Sequence, residues 1–507
     1  MSESKGLPEG WSLAPVGTLG EVRLGRQRSP KNRSFKYPTR YLRAANLTWD
    51  GIDLTDVLEM EFRPDEQATY ALHEGDVLLS EASGSAGEVG KPVLWKEQNT
   101  VYCFQNTVIR FRPTYLFPRF ALRVFEHFAR NGIFSKVARG VGIHHLGADR
   151  FSAISCVVPP LPEQHRIVEK IEELFSHLDA GIQAMKRAKA NLKRYRASVL
   201  KSAVEGKLTE EWRKDHPQTE DGQMLLDRIL RERREKWEQS QLKKFEEKGK
   251  EPPKNWQAKY EEPSAPDTSA LPALPEGWAW AAVEQVGEVV TGTTPPTANR
   301  AYYGTHIPFL SPSDLEAGYA VTTGNSALSE EGLTHARWTP ERTTLVTCIG
   351  ATIGKTGFTR MPCTTNQQIN AVVVPPIGNL PEWFFWTQRS PRGQQEIKRN
   401  ASATTLPLLN KSKFQAILVP LPPLAEQEQI VALVEERLSQ IDAADKTIDA
   451  ELIRSKRLRQ SILKQAFEGN LVPQDPEDEP ASILLERIKA SREAEPPKKA
   501  KKAKGAR

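Results

Sequence analysis

The sequence predicts an α+β protein of two domains and two long antiparallel coiled-coil helices, built as an internal duplication with pseudo-twofold symmetry. Three observations predict it. Residues 159–208 and 422–471 align over 50 positions at a constant offset of 263, without a gap and with 22 identities, a self-similarity that marks a duplication. Each copy has the apolar spacing of a long helix. The segments ahead of the copies mix short β-type runs with turn residues, and most of their sequence does not align.

The first domain is expected over residues 1–158, opening on Leu7-Pro8-Glu9-Gly10-Trp11. Asp76–Ser80 and Val101–Phe111 read as strands, and Leu116–Asn131 reads as a helix after a Pro-containing entry. The first long helix follows over 159–210. A Pro-Pro-Leu entry ends the preceding strand. Glu163 then lies in the first turn, where a carboxylate suits the helix dipole. Ile167, Ile171, Leu174, Leu178, Ile182, Met185, Ala188, Leu192, Tyr195 and Val199 recur at spacings of three and four, forming one narrow stripe. Gly206 closes the helix. At ~1.5 Å per residue each rod runs roughly 60–70 Å. An ordinary core helix could carry such a stripe, but two rods of this length fit a helix–helix pair better.

Residues 211–273 hold a shorter amphipathic helix, Gln223–Gln241, and a Pro-rich charged linker. The second domain, 274–421, restarts on Leu274-Pro275-Glu276-Gly277-Trp278, with strands at Thr344–Cys348 and Ala371–Val374 and a helix over Pro381–Asn400. The second long helix, 422–472, repeats the pattern with Glu426, Ile430, Val434, Leu438, Ile441, Ile448, Leu452, Ile462 and Gly469. Residues 473–507 hold a second short helix, whose Leu484-Leu485-Glu486-Arg487-Ile488 echoes Leu225-Leu226-Asp227-Arg228-Ile229, and then a basic tail expected to be disordered.

Of 507 residues, 70 are Lys or Arg and 64 Asp or Glu, a net charge of +6 that is compatible with a nucleic-acid partner without demonstrating one. Cys103, Cys156, Cys348 and Cys363 lack metal-ligand spacing, which argues against a zinc site or disulfide framework. No apolar run has membrane-spanning length and Met1–Gly10 is polar, so a cytoplasmic protein is expected.

From Val22 to Trp49 there are eight basic residues and no acidic one: Arg23, Arg26, Arg28, Lys31, Arg33, Lys36, Arg40 and Arg43, with Phe35, Tyr37 and Tyr41 interleaved. Such a run suits phosphate neutralisation and guanine contacts; a solvated charge run is the alternative. The second domain offers a looser set, Lys355, Arg389, Arg392, Lys398, Arg399, Lys411 and Lys413. Arg139, His144 and His145, with Thr404 and Thr405, complete the residues expected to meet DNA. Gly350-Ala351-Thr352-Ile353-Gly354-Lys355-Thr356 is one residue short of a phosphate-binding loop and reads as a turn between strands. No methyltransferase, nuclease or nucleotide motif is visible, so neither a catalytic residue nor a cofactor or metal site is expected in the chain.

Pro159-Pro160-Leu161-x-Glu163-Gln164-x-x-Ile167-Val168 and Pro422-Pro423-Leu424-x-Glu426-Gln427-x-x-Ile430-Val431 each follow a Leu-x4-Phe segment and head a helix ending in Glu-Gly. With the doubled Leu-Pro-Glu-Gly-Trp, Leu42-Arg43-x-x-Asn46-Leu47 and Gly75-Asp76-Val77-Leu78, this assembly resembles the specificity subunits of type I restriction–modification systems. The resemblance covers nearly the whole chain. It implies two target-recognition domains, each reading half of an asymmetric bipartite DNA site, with the helices setting the gap. It implies two methyltransferase subunits as partners, which bind S-adenosylmethionine and act on adenine, and two restriction/translocase subunits that can join with ATP and Mg. The same module could instead serve another DNA-modifying or phage-exclusion system. A coiled-coil scaffold without a DNA role fits the basic run less well.

Overall fold

The computed structural model describes residues 6–27, 36–85, 87–96, 98–217, 219–378, 380–402 and 406–494. Two compact units divide the chain, one of residues 1–186 and 449–507, the other of residues 187–448, so the boundary falls within both long helices.

In the first unit the central sheet has four strands, β1 (Gly20–Leu24), β2 (Val77–Ser80), β3 (Pro92–Leu94) and β4 (Val108–Pro113), in the spatial order β1-β4-β2-β3, every pair antiparallel. The Val77–Ser80 strand is buried along its length, three apolar residues ending on Ser80. Helix Pro118–Arg130 packs Phe125 into a nest of edge-on rings with Phe111, Phe134 and Phe151, and sets Phe120 edge-on to Phe467. Ile167, Ile171 and Phe175 of the first long helix and Ile462, Leu463 and Phe467 of the second complete this core. The expected strand Val101–Phe111 is two strands. Tyr102–Phe104 runs parallel to Pro38–Leu42 in a separate sheet, and the turn at Gln105 starts β4.

The second unit repeats the plan. Strands β5 (Glu288–Thr291), β6 (Thr343–Thr347), β7 (Thr356–Thr359) and β8 (Ile369–Val373) are ordered β5-β8-β6-β7, again all antiparallel. Its core gathers Trp278, Phe358, Trp383, Phe384 and Phe385 against Val199, Leu200 and Ala203 of the first long helix and Ile430, Val434 and Leu438 of the second. The expected single helix Pro381–Asn400 is broken into Leu380–Arg389 and Pro391–Asn400. Pro391 has no N–H to continue the first helix, and the Ser390 hydroxyl caps the second by accepting from Gly393 N at 3.0 Å.

The long helices run Leu161–Val204 and Leu424–Phe467. Within the second unit Lys189 pairs with Asp445 at 3.7 Å and Arg196 with Asp442, so the two segments there are antiparallel. The first unit pairs Asp179 with Arg459, and Arg459 lies 4.1 Å over the ring of Phe175. The shorter helix between the domains runs to Glu247, beyond the expected Gln241. Part of the presumed linker folds back on it, with Trp256 stacked on Trp237 at 5.9 Å. The basic tail from Lys498 onward lies outside the described residues.

Each Leu-Pro-Glu-Gly-Trp motif is a junction. Trp11 Nε1 donates to Glu163 at 2.9 Å and Trp278 Nε1 to Glu426 at 2.8 Å, joining each domain to the start of its own helix. The motif also receives the end of the other repeat's helix. Gly206 (φ 68°) lies against Pro275, and Gly469 (φ 75°) against Pro8, so closely that a Cβ would sit 2.4 and 2.2 Å from the proline rings. Glycine is required there both by the left-handed backbone and by the contact.

Candidate nucleic-acid interface

At one end of each central sheet two loops are stitched together by the same backbone bonds. In the first domain one loop leaves β2 at Glu81 and the other spans 139–145. Leu146 N donates to Glu81 O at 2.8 Å, His145 pairs with Ala82, and Arg139 N closes the second loop on His145 O at 3.0 Å. In the second domain Leu409 N donates to Cys348 O at 2.8 Å, Ile349 bridges Leu408, and Ser402 N closes on Leu408 O at 2.9 Å. The register follows the 263 offset that relates Leu146 to Leu409. Frame and loop anchors are common, whereas the loop sequences, Arg139-Gly140-Val141-Gly142-Ile143-His144-His145 and Ser402–Leu408, are unrelated.

This construction gathers Arg139, His144 and His145 of the expected contacts. Arg139 is exposed, and His145 Nδ1 lies 2.9 Å from Glu81 Oε2. Lys355 sits in the corresponding turn of the second domain, paired with Glu316 at 2.5 Å. That turn is the phosphate-loop lookalike, and it is closed as a strand connection by Gly354 N donating to Thr347 O and Thr347 N to Lys355 O. Lys411 is exposed directly after the second loop; Lys398 and Arg399 are exposed on the helix before it, with Arg399 2.6 Å from Glu396. Thr404 and Thr405 lie outside the described residues.

The basic run of the first domain is corrected by its partners. Arg26 is only 8% exposed, with Nε 2.8 Å from Glu66 and its ring neighbour Phe62 at 5.1 Å. It is therefore a core ion pair and not a DNA contact. Arg23 pairs with Glu21, Arg40 with Glu59 at 3.8 Å, and Arg43 with Asp56 at 2.8 Å. These arginines remain partly accessible, but the acid-free stretch is not a free cationic face. Lys36 is exposed, beside the Tyr37 ring. Arg28, Lys31 and Arg33 lie outside the described residues. In the second domain Arg389 is also corrected. Burial and the nearby Arg196 charge depress its pKa, and its guanidinium donates to Thr356 O at 3.4 Å. Arg392 stacks over Trp280 at 4.4 Å.

Sequence reading missed two features: the carboxylate–tryptophan junctions and the apolar loop tips, Ile143 and Leu406. Both were signalled by the repeat, since each position recurs at or near the offset. All four cysteines are buried, and burial pushes the thiols of Cys103, Cys156 and Cys348 up to about 12, which makes them poor nucleophiles. Among the described residues no helix is long and apolar enough to cross a membrane.

Residues 8–191 and 275–453 match the family model described as the type I restriction modification DNA specificity domain. The chain belongs to that family. It is a DNA sequence-recognition subunit of the type I restriction–modification kind. It is 27% identical over 526 residues to the type I restriction enzyme EcoKI specificity subunit of Escherichia coli K12, covering 99% of this chain and 100% of that one. It is 27% identical over 378 residues to the EcoDI specificity subunit of Escherichia coli, covering 72% and 75%. The fold is similar to that of the HsdS subunit from Thermoanaerobacter tengcongensis, with TM-score 0.51, 18% identity and coverage of 92% and 98%. It is also similar to a chain from a study of complex assembly and conformational transition of the type I R-M system, with TM-score 0.63, 18% identity and coverage of 92% and 99%.

Proposed function

We propose that the two α+β domains each read one half of an asymmetric, bipartite DNA target through the paired loops at the end of the central sheet. The observation that carries this reading is the contrast within the duplication: sheet order and loop anchors are repeated, and the loop sequences between them are not. A shared scaffold with divergent tips suits two domains doing one kind of work on two different sequences. Phosphate contacts from Lys36, Arg40, Lys398 and Lys411 position the duplex, and groups at the loop tips read base edges.

The chain in this reading has no catalytic site and binds no cofactor of its own. It directs two methyltransferase subunits, which bring S-adenosylmethionine and extrude an adenine for N6 methylation. Two restriction/translocase subunits add ATP- and Mg-dependent work, and the complex operates in the cytoplasm. The test is methylome mapping of cells that express the chain with its modification subunits. A single two-part motif with a fixed gap and one methylated adenine in each half is expected. Methylation at a continuous site, or none in the presence of assembled complex, would overturn the reading.

A further inference from the structure

Ile143 and Leu406 occupy the same place in the two domains, three residues before the buried anchors Leu146 and Leu409. Both are large aliphatic residues held in water, 55% and 60% exposed, and Val141 beside Ile143 is fully exposed. A lone exposed aliphatic needs no explanation. The same exposure at equivalent positions of two copies whose loops have no residue in common does need one. The first loop is also rigidly made: Gly140 has φ 125°, and a Cβ there would meet Ile143 O at 2.0 Å. Its ends are tied by the Arg139–His145 pair and by Arg150, which donates to His145 O at 2.9 Å.

The surroundings identify the occupant. Lys136 and Arg139 lead exposed into the first tip, and the Glu81 carboxylate at its base is taken up by His145. Exposed Lys411 and Lys413 follow the second tip. An apolar point framed by cations is complementary to a base stack framed by phosphates. Nucleic-acid-binding proteins use aliphatic side chains in this way, as wedges that open a base step. We propose that Val141 and Ile143 of the first domain and Leu406 of the second insert into the stack of bound double-stranded DNA, each opening one base step in its own half-site. The inference rests on the reading of the domains as DNA-recognition modules.

The test uses the complete chain assembled with its modification subunits and a duplex carrying the mapped motif, with 2-aminopurine placed singly along each half. Wild-type complex should brighten the probe at one step in each half-site. V141S/I143S should abolish brightening in one half only and weaken binding about tenfold; L406S should do the same in the other half. I143L should behave as wild type. The substituted side chains are exposed, so unchanged melting of the variants is expected and verifies folding. A serine variant that retains both emission and affinity overturns the wedge while leaving recognition intact. So does a variant that loses modification subunits and still unstacks the DNA. A wild-type complex with no preference for its motif over scrambled DNA overturns the recognition reading and the wedge with it.

Discussion

Among the described residues, Glu426 accepts from three side chains and Glu163 from one. Besides Trp278, Glu426 takes the Thr209 hydroxyl at 2.7 Å and the Arg213 guanidinium at 2.7 Å. Glu163 takes Trp11, and its Oε1 is buried without a hydrogen-bond partner among the described residues. At the 263 offset Val472 stands opposite Thr209 and Pro476 opposite Arg213, so the first junction lacks the groups that satisfy the second. Burial then pushes the Glu163 carboxyl above its ordinary range, offset by Trp11 and Arg166 and reinforced by Asp478.

The two junctions should therefore respond oppositely to the same substitution. Glu426→Gln strips Arg213 of a fully buried partner and should destabilise the second unit by about 3 kcal/mol. Glu163→Gln removes a charge from a dry site. A carboxyl whose folded pKa is raised contributes stability that is present below the unfolded value and lost as pH rises through the folded one. Urea midpoints of wild type should thus fall, relative to Glu163→Gln, as pH rises above about 4.5. Parallel curves for the two proteins would show that Glu163 does not titrate in that range.

Arg26 and Arg139 should separate stability from binding. Arg26→Ala removes the shorter of the two ion pairs of Glu66, leaving it with Arg63 at 3.6 Å, and should lower the stability of the first unit by about 2 kcal/mol. Arg139→Ala should leave melting unchanged and reduce the log–log salt slope of DNA binding by about one. An unchanged slope would exclude Arg139 from the phosphate contacts.

Replacing residues 278–421 with the corresponding domain of a relative should change one half of the methylated motif and preserve the other, because the first sheet and its loops lie outside that segment. Methylome mapping reads this directly. A motif altered in both halves would mean that the domains do not act as separate readers.

The purified chain alone should transfer no methyl group and hydrolyse neither DNA nor ATP. Labelled S-adenosylmethionine and a phosphate-release assay provide the check. Activity that co-purifies with this chain through several columns would contradict the assignment of catalysis to partners.

The sequence by itself determined the duplication, the two long helices and the recurrence of Leu-Pro-Glu-Gly-Trp, though not the bonds from Trp11 and Trp278 to the helix starts. Helix periodicity, a Pro-Pro entry and a closing glycine act over a few residues, so Leu161–Val204 and Leu424–Phe467 could be read locally. Only the tertiary structure decided which charges face water. The run from Val22 to Trp49 contains no acid, yet Arg26 meets Glu66 40 residues away and Arg43 meets Asp56 13 residues away. The same holds for the sheet, where β1 pairs with β4 although the sheet's other two strands come between them in the chain, and for the loop tips, which two distant segments stitch together. Strand pairing and ion pairing depend on which remote segments fold together, and no local spacing records that choice.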